Sequence, residues 1–360
     1  MQLHENKSQP AELPRTKIVE AYGLLKCPKL VQQIAGDDLE VRNNALAVLS
    51  EEFLNPYEIE GCARAGIIRI LASMVVDSDF NTRLLSSKAL AIAALDANGL
   101  AAIVADELIV GDLLLGMNDP SEVVRGNIYE CIRNVTKTAK GIDVCCGAGV
   151  CTAFVRALQS EPDRLKPALL SSISCIVSAK EDGLIDALNS SVVTICIHHL
   201  RSPSAEVRCE AAKVLGFVCY DEDAKTEALD NKVVDLLMDL LIEDVSESPP
   251  RPRQPIAVLS AATMALMAVT STDEGKRRVY TCFENGEAVA HLAALLYLDN
   301  RSIRLNTMKV ISNIAVFPPL RAKLLDEASV LLNLKRLKQY GDPLLEKHAN
   351  IAIACVNWTP

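Results

Sequence analysis

A basic residue followed by a fixed set of apolar positions recurs along this 360-residue chain, and its spacing constrains the fold more than any other feature. After Arg208, apolar residues stand three, six and seven positions later, at Ala211, Val214 and Leu215, and Arg42 is followed in the same way. Those intervals place the side chains on one face of an α-helix. The pattern therefore predicts a series of similar long helices, each beginning just before its basic residue.

The eight residues at this position, which we call the anchors, are separated by 41, 42, 41, 42, 51, 45 and 42 residues. They are Arg42, Arg83, Arg125, Lys166, Arg208, Leu259, Arg304 and Glu346. This period is typical of armadillo and HEAT repeats. A second apolar helix and a short helix ending in Ala-Gly, as at Ala65-Gly66, precede several anchors, and three helices in each repeat favour armadillo over HEAT. The sequence predicts an all-α, right-handed armadillo/HEAT-like α-solenoid of about eight repeats.

Polar residues stand where several of the long helices are expected to begin. Asp38, Asp79, Ser121 and Ser204 each lie four positions before an anchor. Side chains of this kind accept hydrogen bonds from the free N–H groups of a first helical turn, and acidic residues suit the positive end of the helix dipole. We therefore predict that these four residues cap the long helices.

The solenoid is predicted to occupy residues 30–360, preceded by an N-terminal extension over residues 1–29. Between the fifth and sixth repeats, the segment 245–255 contains the run Ser246-Glu247-Ser248-Pro249-Pro250-Arg251-Pro252-Arg253. Proline excludes a helix there. The segment is interpreted as a solvated surface loop inserted between two helices, and the alternative is a polyproline ligand for the groove of a partner.

The net charge of −9 argues against a nucleic-acid partner, because phosphate neutralisation requires clustered Lys and Arg. The longest basic run is Lys276-Arg277-Arg278. Residues 1–14 lack the charged start and apolar core of a secretory signal, and no apolar run reaches the roughly 20 residues of a membrane span. We expect a soluble, intracellular protein that has no membrane partner.

The twelve cysteines are few for so long a chain, and members such as Cys131 and Cys219 fall on apolar helix faces. They are interpreted as reduced thiols of the core. The closest group, Cys145, Cys146 and Cys151, has neither C-x-x-C spacing nor a second cluster to complete a zinc site. No metal site is predicted.

The motifs that carry the commonest enzyme chemistries are missing from the sequence. It contains no G-x-x-x-x-G-K-[ST] phosphate loop, no G-x-S-x-G nucleophile elbow and no H-E-x-x-H helix. We therefore expect no catalytic residue, no cofactor and no small-molecule substrate. The predicted role is to bind other proteins.

In a stack of this kind the long helices line a concave face, and the fifth and ninth positions after each anchor are expected to point into it. The residues predicted to touch a partner are Lys88, Ile92, Glu130, Asn134, Lys213, Phe217, Lys309 and Asn313. The alternative is that the apolar members pack against the next repeat and that the lysines are merely solvated. Nuclear import receptors of this fold carry Trp and Asn arrays at these positions, whereas here only Asn134 and Asn313 match and Trp is missing from the fifth position, so a receptor of that kind is not expected.

Both ends of the chain and two turns between them resemble the radial spoke head 14 family, the armadillo-repeat proteins of the radial spoke in motile cilia and flagella. The segments that carry the resemblance are Pro14-Arg15-Thr16-Lys17-Ile18, Tyr22-Gly23, Pro28-Lys29-Leu30, Asp77-Ser78-Asp79-Phe80-Asn81-Thr82-Arg83, Glu274-Gly275-Lys276 and Val356-Asn357-Trp358-Thr359-Pro360. The proline insertion and the anchors Leu259 and Glu346 depart from the regular pattern.

The resemblance implies a non-catalytic scaffold subunit that binds other radial spoke subunits in a large complex of the axoneme. It implies a location in the cilium or flagellum and a role in motility. Two other interpretations stay open at this point. One is a cytosolic armadillo adaptor or transport scaffold that binds a peptide or helix in its concave groove, and the other is a regulator that binds one enzyme.

Overall fold

All eight long helices predicted from the anchors are present, and each is 14 residues long. The structure is a computed structural model that describes residues 25–244, 251–282 and 287–359. The long helices are α2 (Leu39–Glu52), α5 (Phe80–Ala93), α8 (Glu122–Val135), α11 (Lys166–Ala179), α14 (Ala205–Val218), α17 (Ile256–Val269), α20 (Arg301–Ile314) and α23 (Pro343–Val356). The predicted all-α, armadillo-like solenoid is confirmed.

Two shorter helices precede each long helix in chain order, except that the first repeat is described from its second helix onward. The first of each pair are α3 (Pro56–Arg64), α6 (Ala97–Ala105), α9 (Ala139–Gly147), α12 (Glu181–Asn189), α15 (Glu222–Asp230), α18 (Asp273–Thr281) and α21 (Pro318–Asp326). The second are α1 (Lys26–Ile34), α4 (Ile67–Ser73, continued by a 3-10 turn at Met74–Val76), α7 (Glu107–Gly116), α10 (Val150–Ala157), α13 (Val192–His199), α16 (Val233–Leu240), α19 (Glu287–Tyr297) and α22 (Ala328–Lys338).

Three of the four predicted caps are formed. The side chains of Asp38, Asp79 and Ser204 accept hydrogen bonds from N–H groups of the first turns of α2, α5 and α14. The prediction for Ser121 is wrong, because its side chain makes no capping bond to α8. Instead the Ser121 N–H donates to Oδ1 of Asp119 at 2.7 Å, so the polar contact at this turn is made by the residue two positions earlier.

The chain divides into two compact units, the first ending at Ala148 and the second beginning at Gly149. In the first unit α2 packs on α5 and α5 packs on α8. In the second unit α11, α14, α17, α20 and α23 pack in succession, each long helix against the next. The predicted stripe is the core of these contacts, since Ala211, Val214 and Leu215 of α14 are completely buried.

A short two-stranded ladder joins the residues just before the proline-containing segment to residues within it. Strand β1 (Glu243–Asp244) pairs antiparallel with β2 (Arg251–Pro252), so that Glu243 lies opposite Pro252. Residues 245–250 lie outside the described part of the chain, as do residues 1–24 of the predicted N-terminal extension. Helix α17 begins at Ile256, directly after Pro255, so proline and the helix start coincide there.

Within the described ranges, no single helix combines the length and apolar character required to cross a membrane. The neighbouring helices α5 and α6 meet those two criteria only when taken together, and they are bent by 112° at their junction.

All twelve cysteines lie in the described ranges as free thiols, and most are buried. Burial raises the pKa of Cys131 and that of Cys219 to about 12, so both thiols are protonated at neutral pH. The interpretation of these two residues as reduced core thiols is consistent with that environment. No three His, Cys, Asp or Glu side chains in the described residues lie together in a way that could hold a metal ion.

Candidate protein-binding surface

In the first unit the predicted surface residues lie on the neighbouring long helices α5 and α8. Lys88 is exposed, and its ammonium forms no hydrogen bond or ion pair with the described residues, whereas Ile92, one turn later, is half-buried. On α8, Glu130 is half-buried and forms an ion pair of 2.6 Å with Arg133 of the same helix. Asn134 is 5% exposed. This part of the surface therefore presents one free cation beside a partly covered aliphatic side chain.

In the second unit the predicted residues lie on α14 and α20, with α17 packed between them. Lys213 forms an ion pair of 2.7 Å with Glu210 of its own helix. Burial alone would lower the pKa of Lys213, but the hydrogen bond and charge of Glu210 outweigh this and hold the pKa above its ordinary value. Phe217 is half-buried, so part of its ring is open to solvent. The intervening helix contributes Met264 at the fifth position after its anchor, the position that Lys213 occupies on α14.

The contact between α14 and α17 is close because a glycine precedes Phe217. A Cβ atom at Gly216 would lie 2.6 Å from Cε of Met264, so any larger residue there would force the side chain of Met264 to move. The absence of a side chain at Gly216 thus allows the two helices to approach at the eighth position of α14 and the fifth position of α17.

Asn134 and Asn313, which were predicted to face a partner, are engaged within the repeats. Oδ1 of Asn134 accepts a hydrogen bond of 2.7 Å from Nζ of Lys137. Nδ2 of Asn313 donates to the carbonyl of Met267 and to Oγ1 of Thr270, both at 3.2 Å, and so ties α20 to α17. An amide that already satisfies a neighbouring backbone carbonyl contributes first to the stacking of repeats. The partner-binding assignment of all eight residues stays a prediction.

The surroundings of Lys309 are electropositive. Lys309 forms no hydrogen bond or ion pair with the described residues. His348 of the next long helix has a lowered pKa, caused first by burial and then by the charges of Lys309 and Lys347. A neutral imidazole beside two ammonium groups leaves this end of the surface positive at neutral pH.

Sequence reasoning did not foresee the role of the anchor arginines. Nη1 of Arg83 donates to the carbonyl of Asp77 at 2.9 Å, and Nε donates to the carboxylate of Asp119 in the following repeat. Arg42 repeats the arrangement by donating to the carbonyl of Gly36 and to the carboxylate of Asp77. The sequence contains a signal for this arrangement. Asp77 and Asp119 each stand six residues before the next anchor, so an acidic residue recurs at the period of the repeat.

The chain was compared with proteins of known identity and structure. No model of a known protein family matches it. A curated relative, radial spoke protein 14 of Chlamydomonas reinhardtii, is 26% identical over 66% of this chain, and the match spans 64% of the length of that relative.

Solved structures of two engineered proteins are similar in fold. One, described as an engineered protein of the Northeast Structural Genomics Consortium, has a TM-score of 0.80 and 20% identity. The match covers 93% of this chain and 79% of the engineered protein. A designed armadillo repeat protein in complex with the peptide (KR)4 has a TM-score of 0.57 and 17% identity, over 69% of this chain and 99% of its own. The fold is that of armadillo-repeat proteins, and the predicted resemblance to radial spoke protein 14 is confirmed.

Proposed function

We propose that the protein is a non-catalytic structural subunit of the axonemal radial spoke, where it binds other spoke proteins and supports ciliary or flagellar motility. The observation that carries the proposal is the similarity to radial spoke protein 14 over 66% of the chain. In this role the partners are spoke subunits in a large complex, and the protein resides in the cytoskeleton of the cilium or flagellum.

The armadillo-like fold supports a scaffold role for a physical reason. Each repeat presents the same two positions of its long helix, so a partner can be held by several weak contacts rather than by one pocket. Lys88 and Lys309 offer unpaired ammonium groups, while Ile92 and Phe217 offer partly exposed apolar surface. Apolar side chains flanked by charges are typical of protein interfaces.

Fractionation of ciliated cells tests the proposal. The tagged full chain is expected to remain with axonemes after detergent extraction and a high-salt wash, and crosslinking followed by mass spectrometry is expected to recover radial spoke subunits. Recovery of the whole pool in the detergent-soluble fraction would overturn the spoke assignment. That outcome would favour the cytosolic adaptor instead.

The surface itself is tested by the double variant Lys213→Glu with Phe217→Ala. We expect it to reduce crosslinks to partners by about thirtyfold, since charge reversal and loss of an aromatic contact each cost on the order of 1 kcal/mol at an interface. The matched control is Arg64→Glu with Tyr57→Ala on α3, where the side chain of Arg64 is 79% exposed and the residue Tyr57 is 84% exposed. Equal crosslinking of the two double variants would rule out this part of the surface as the partner site.

A further inference from the structure

A cavity of about 420 Å³ lies at the C-terminal ends of α20 and α23. Its lining residues are Ala315, Val316, Arg321, Ala354, Cys355 and Trp358. All but Arg321 are apolar, and the volume lies in the range of protein pockets that accept a ligand or side chains. We call this cavity the Trp358 pocket.

The pocket presents large apolar groups to solvent. Val316 is 61% exposed and Trp358 is 56% exposed, although both directly follow long helices whose stripes are buried. Cys355 occupies the ninth position after its anchor, so the pocket adjoins the predicted partner surface. Exposed aromatic and aliphatic side chains around a concavity are the usual form of a binding anchor site.

Arg321 is the only charged group that lines the pocket, and its position is fixed from two sides. Nη1 donates to the carbonyl of Ala315 at 3.2 Å, and the guanidinium carbon lies 4.9 Å from the centre of the Trp358 ring. Stacking of this kind holds the guanidinium plane still. Arg321 forms no ion pair with any described residue, so most of its five N–H donors are left for an incoming anion.

The charge of the surrounding repeats has the sign that an acidic partner requires. Residues 300–360 contain nine Lys and Arg and four Asp and Glu, whereas the rest of the chain contains 28 and 42. This C-terminal segment therefore carries a net charge of +5 within a chain of −9. Such a local field attracts acidic segments and repels basic ones.

We propose that the Trp358 pocket binds an acidic segment of a partner protein, whose apolar side chain fills the cavity and whose carboxylate pairs with Arg321. Guanidinium and carboxylate form paired, charge-assisted hydrogen bonds, and the apolar lining strengthens them by excluding water. A nucleic acid fits less well, because tracking a phosphate backbone requires a row of cations and the pocket has one. The proposal does not depend on the assignment to the radial spoke.

The proposal is tested by selecting random peptides displayed on phage. The full chain is the bait, and the double variant Arg321→Gln with Val316→Glu is used for counter-selection. The enriched peptides are expected to share an apolar residue close to Asp or Glu. Tryptophan fluorescence reports on the pocket alone, because Trp358 is the only tryptophan in the sequence. A synthetic copy of the enriched peptide is expected to shift the fluorescence emission of Trp358.

Single variants separate the pocket from general charge attraction. Arg321→Gln and Val316→Glu are each expected to weaken the synthetic peptide by about tenfold, the usual loss when a charged hydrogen bond or a buried anchor is removed. Arg277→Gln changes the net charge as Arg321→Gln does, on an exposed side chain of α18, and is expected to leave the affinity unchanged. Thermal unfolding followed by circular dichroism verifies that each variant is folded.

Several results would overturn the proposal. They are the absence of enriched peptides, enrichment of basic peptides, and equal affinity for the chain and for both pocket variants. A fourth is a shift of Trp358 emission on raising the concentration of the chain alone, together with a dimer in sedimentation, because the occupant would then be a second copy.

Discussion

The eight long helices begin in two different ways, and the difference separates five repeats from three. Helices α2, α5, α8, α14 and α20 carry an arginine at the anchor and no proline in their first turn. Helices α11, α17 and α23 have no arginine at the anchor. A proline stands at the start of each instead, namely Pro167, Pro255 and Pro343. The helices of both groups are 14 residues long, so the two kinds of start lead to helices of the same length.

The arginine acts on the turn before its own helix. The guanidinium of Arg42, Arg83, Arg125 and Arg208 donates in each case to the carbonyl six residues earlier, at 2.7 to 2.9 Å. Carbonyls in a turn have no helical partner, and burying them unpaired is costly. The side chain therefore satisfies the turn, and the remaining donors of Arg42, Arg83 and Arg208 also reach the next repeat.

Proline acts on the backbone itself. Its ring fixes φ near the helical value, and its missing N–H costs nothing at a helix start. The turn no longer depends on a guanidinium, so the anchor position is free to change. It becomes a fully buried core residue at Leu259 and an exposed acid at Glu346. The stripe therefore defines the repeat, while the anchor is one of several means of ordering its turn.

Replacing Leu259 by Ala is expected to give the largest effect. Because Leu259 is 0% exposed, the change removes buried methyl groups and leaves a cavity, which costs about 3 to 4 kcal/mol of unfolding free energy. Urea unfolding followed by circular dichroism measures it. Leu259→Met, which keeps the volume, is expected to cost less than about 1.5 kcal/mol. A loss below about 1 kcal/mol for the Ala variant would mean that the anchor position of α17 does not belong to the core.

Replacing Arg83 by Met is expected to have the next largest effect. The variant keeps an unbranched side chain but leaves the carboxylate of Asp119, whose side chain is 2% exposed, with the Ser121 N–H as its remaining partner. Unpairing a buried charge that keeps one hydrogen bond costs about 2 to 3 kcal/mol.

The control for this variant is Arg64→Met, whose ion pair with Glu60 is exposed and is expected to contribute less than about 1 kcal/mol. Adding Asp119→Asn to Arg83→Met is expected to recover part of the loss, since a neutral amide is easier to bury. If Arg83→Met is no more harmful than Arg64→Met, then the turn of α5 does not depend on its anchor.

The sequence allowed the repeat, its register and the buried stripe to be predicted, because a period near 42 residues and a helical stripe are both local patterns. The role of Arg83 could not be predicted in the same way, since its acceptor Asp119 is 36 residues away and becomes a neighbour only when α5 packs on α8. The Trp358 pocket was missed for a similar reason. Its walls come from the ends of two long helices and the start of α21, and only the stacking of repeats brings them together.

The smallest expected effect concerns the turn before α23. This helix begins with a proline, and its turn is also contacted by an arginine of the preceding repeat. Asp342 accepts hydrogen bonds from the N–H groups of Leu344 and Leu345, and its carboxylate pairs with Arg301 of α20. Arg301 is the main cause that lowers the pKa of Asp342 to about 2. Since the pKa is lower in the folded chain, the ion pair stabilises the fold above about pH 4 and ceases to do so as the pH falls to about 2.

Asp342→Asn is therefore expected to lower the Tm slightly at pH 6, because Asn can still cap the helix but cannot pair with Arg301. The difference in Tm between the two chains is expected to shrink between about pH 4 and 2, and to shrink at pH 6 when salt is added. Asp273→Asn is the control, since Lys276 of the same helix is the first cause that lowers the pKa of Asp273 and no second repeat is involved. A difference in Tm that stays constant from pH 6 to pH 2 would show that Asp342 acts only as a cap, and the proline start of α23 would then be independent of the arginine of its neighbour.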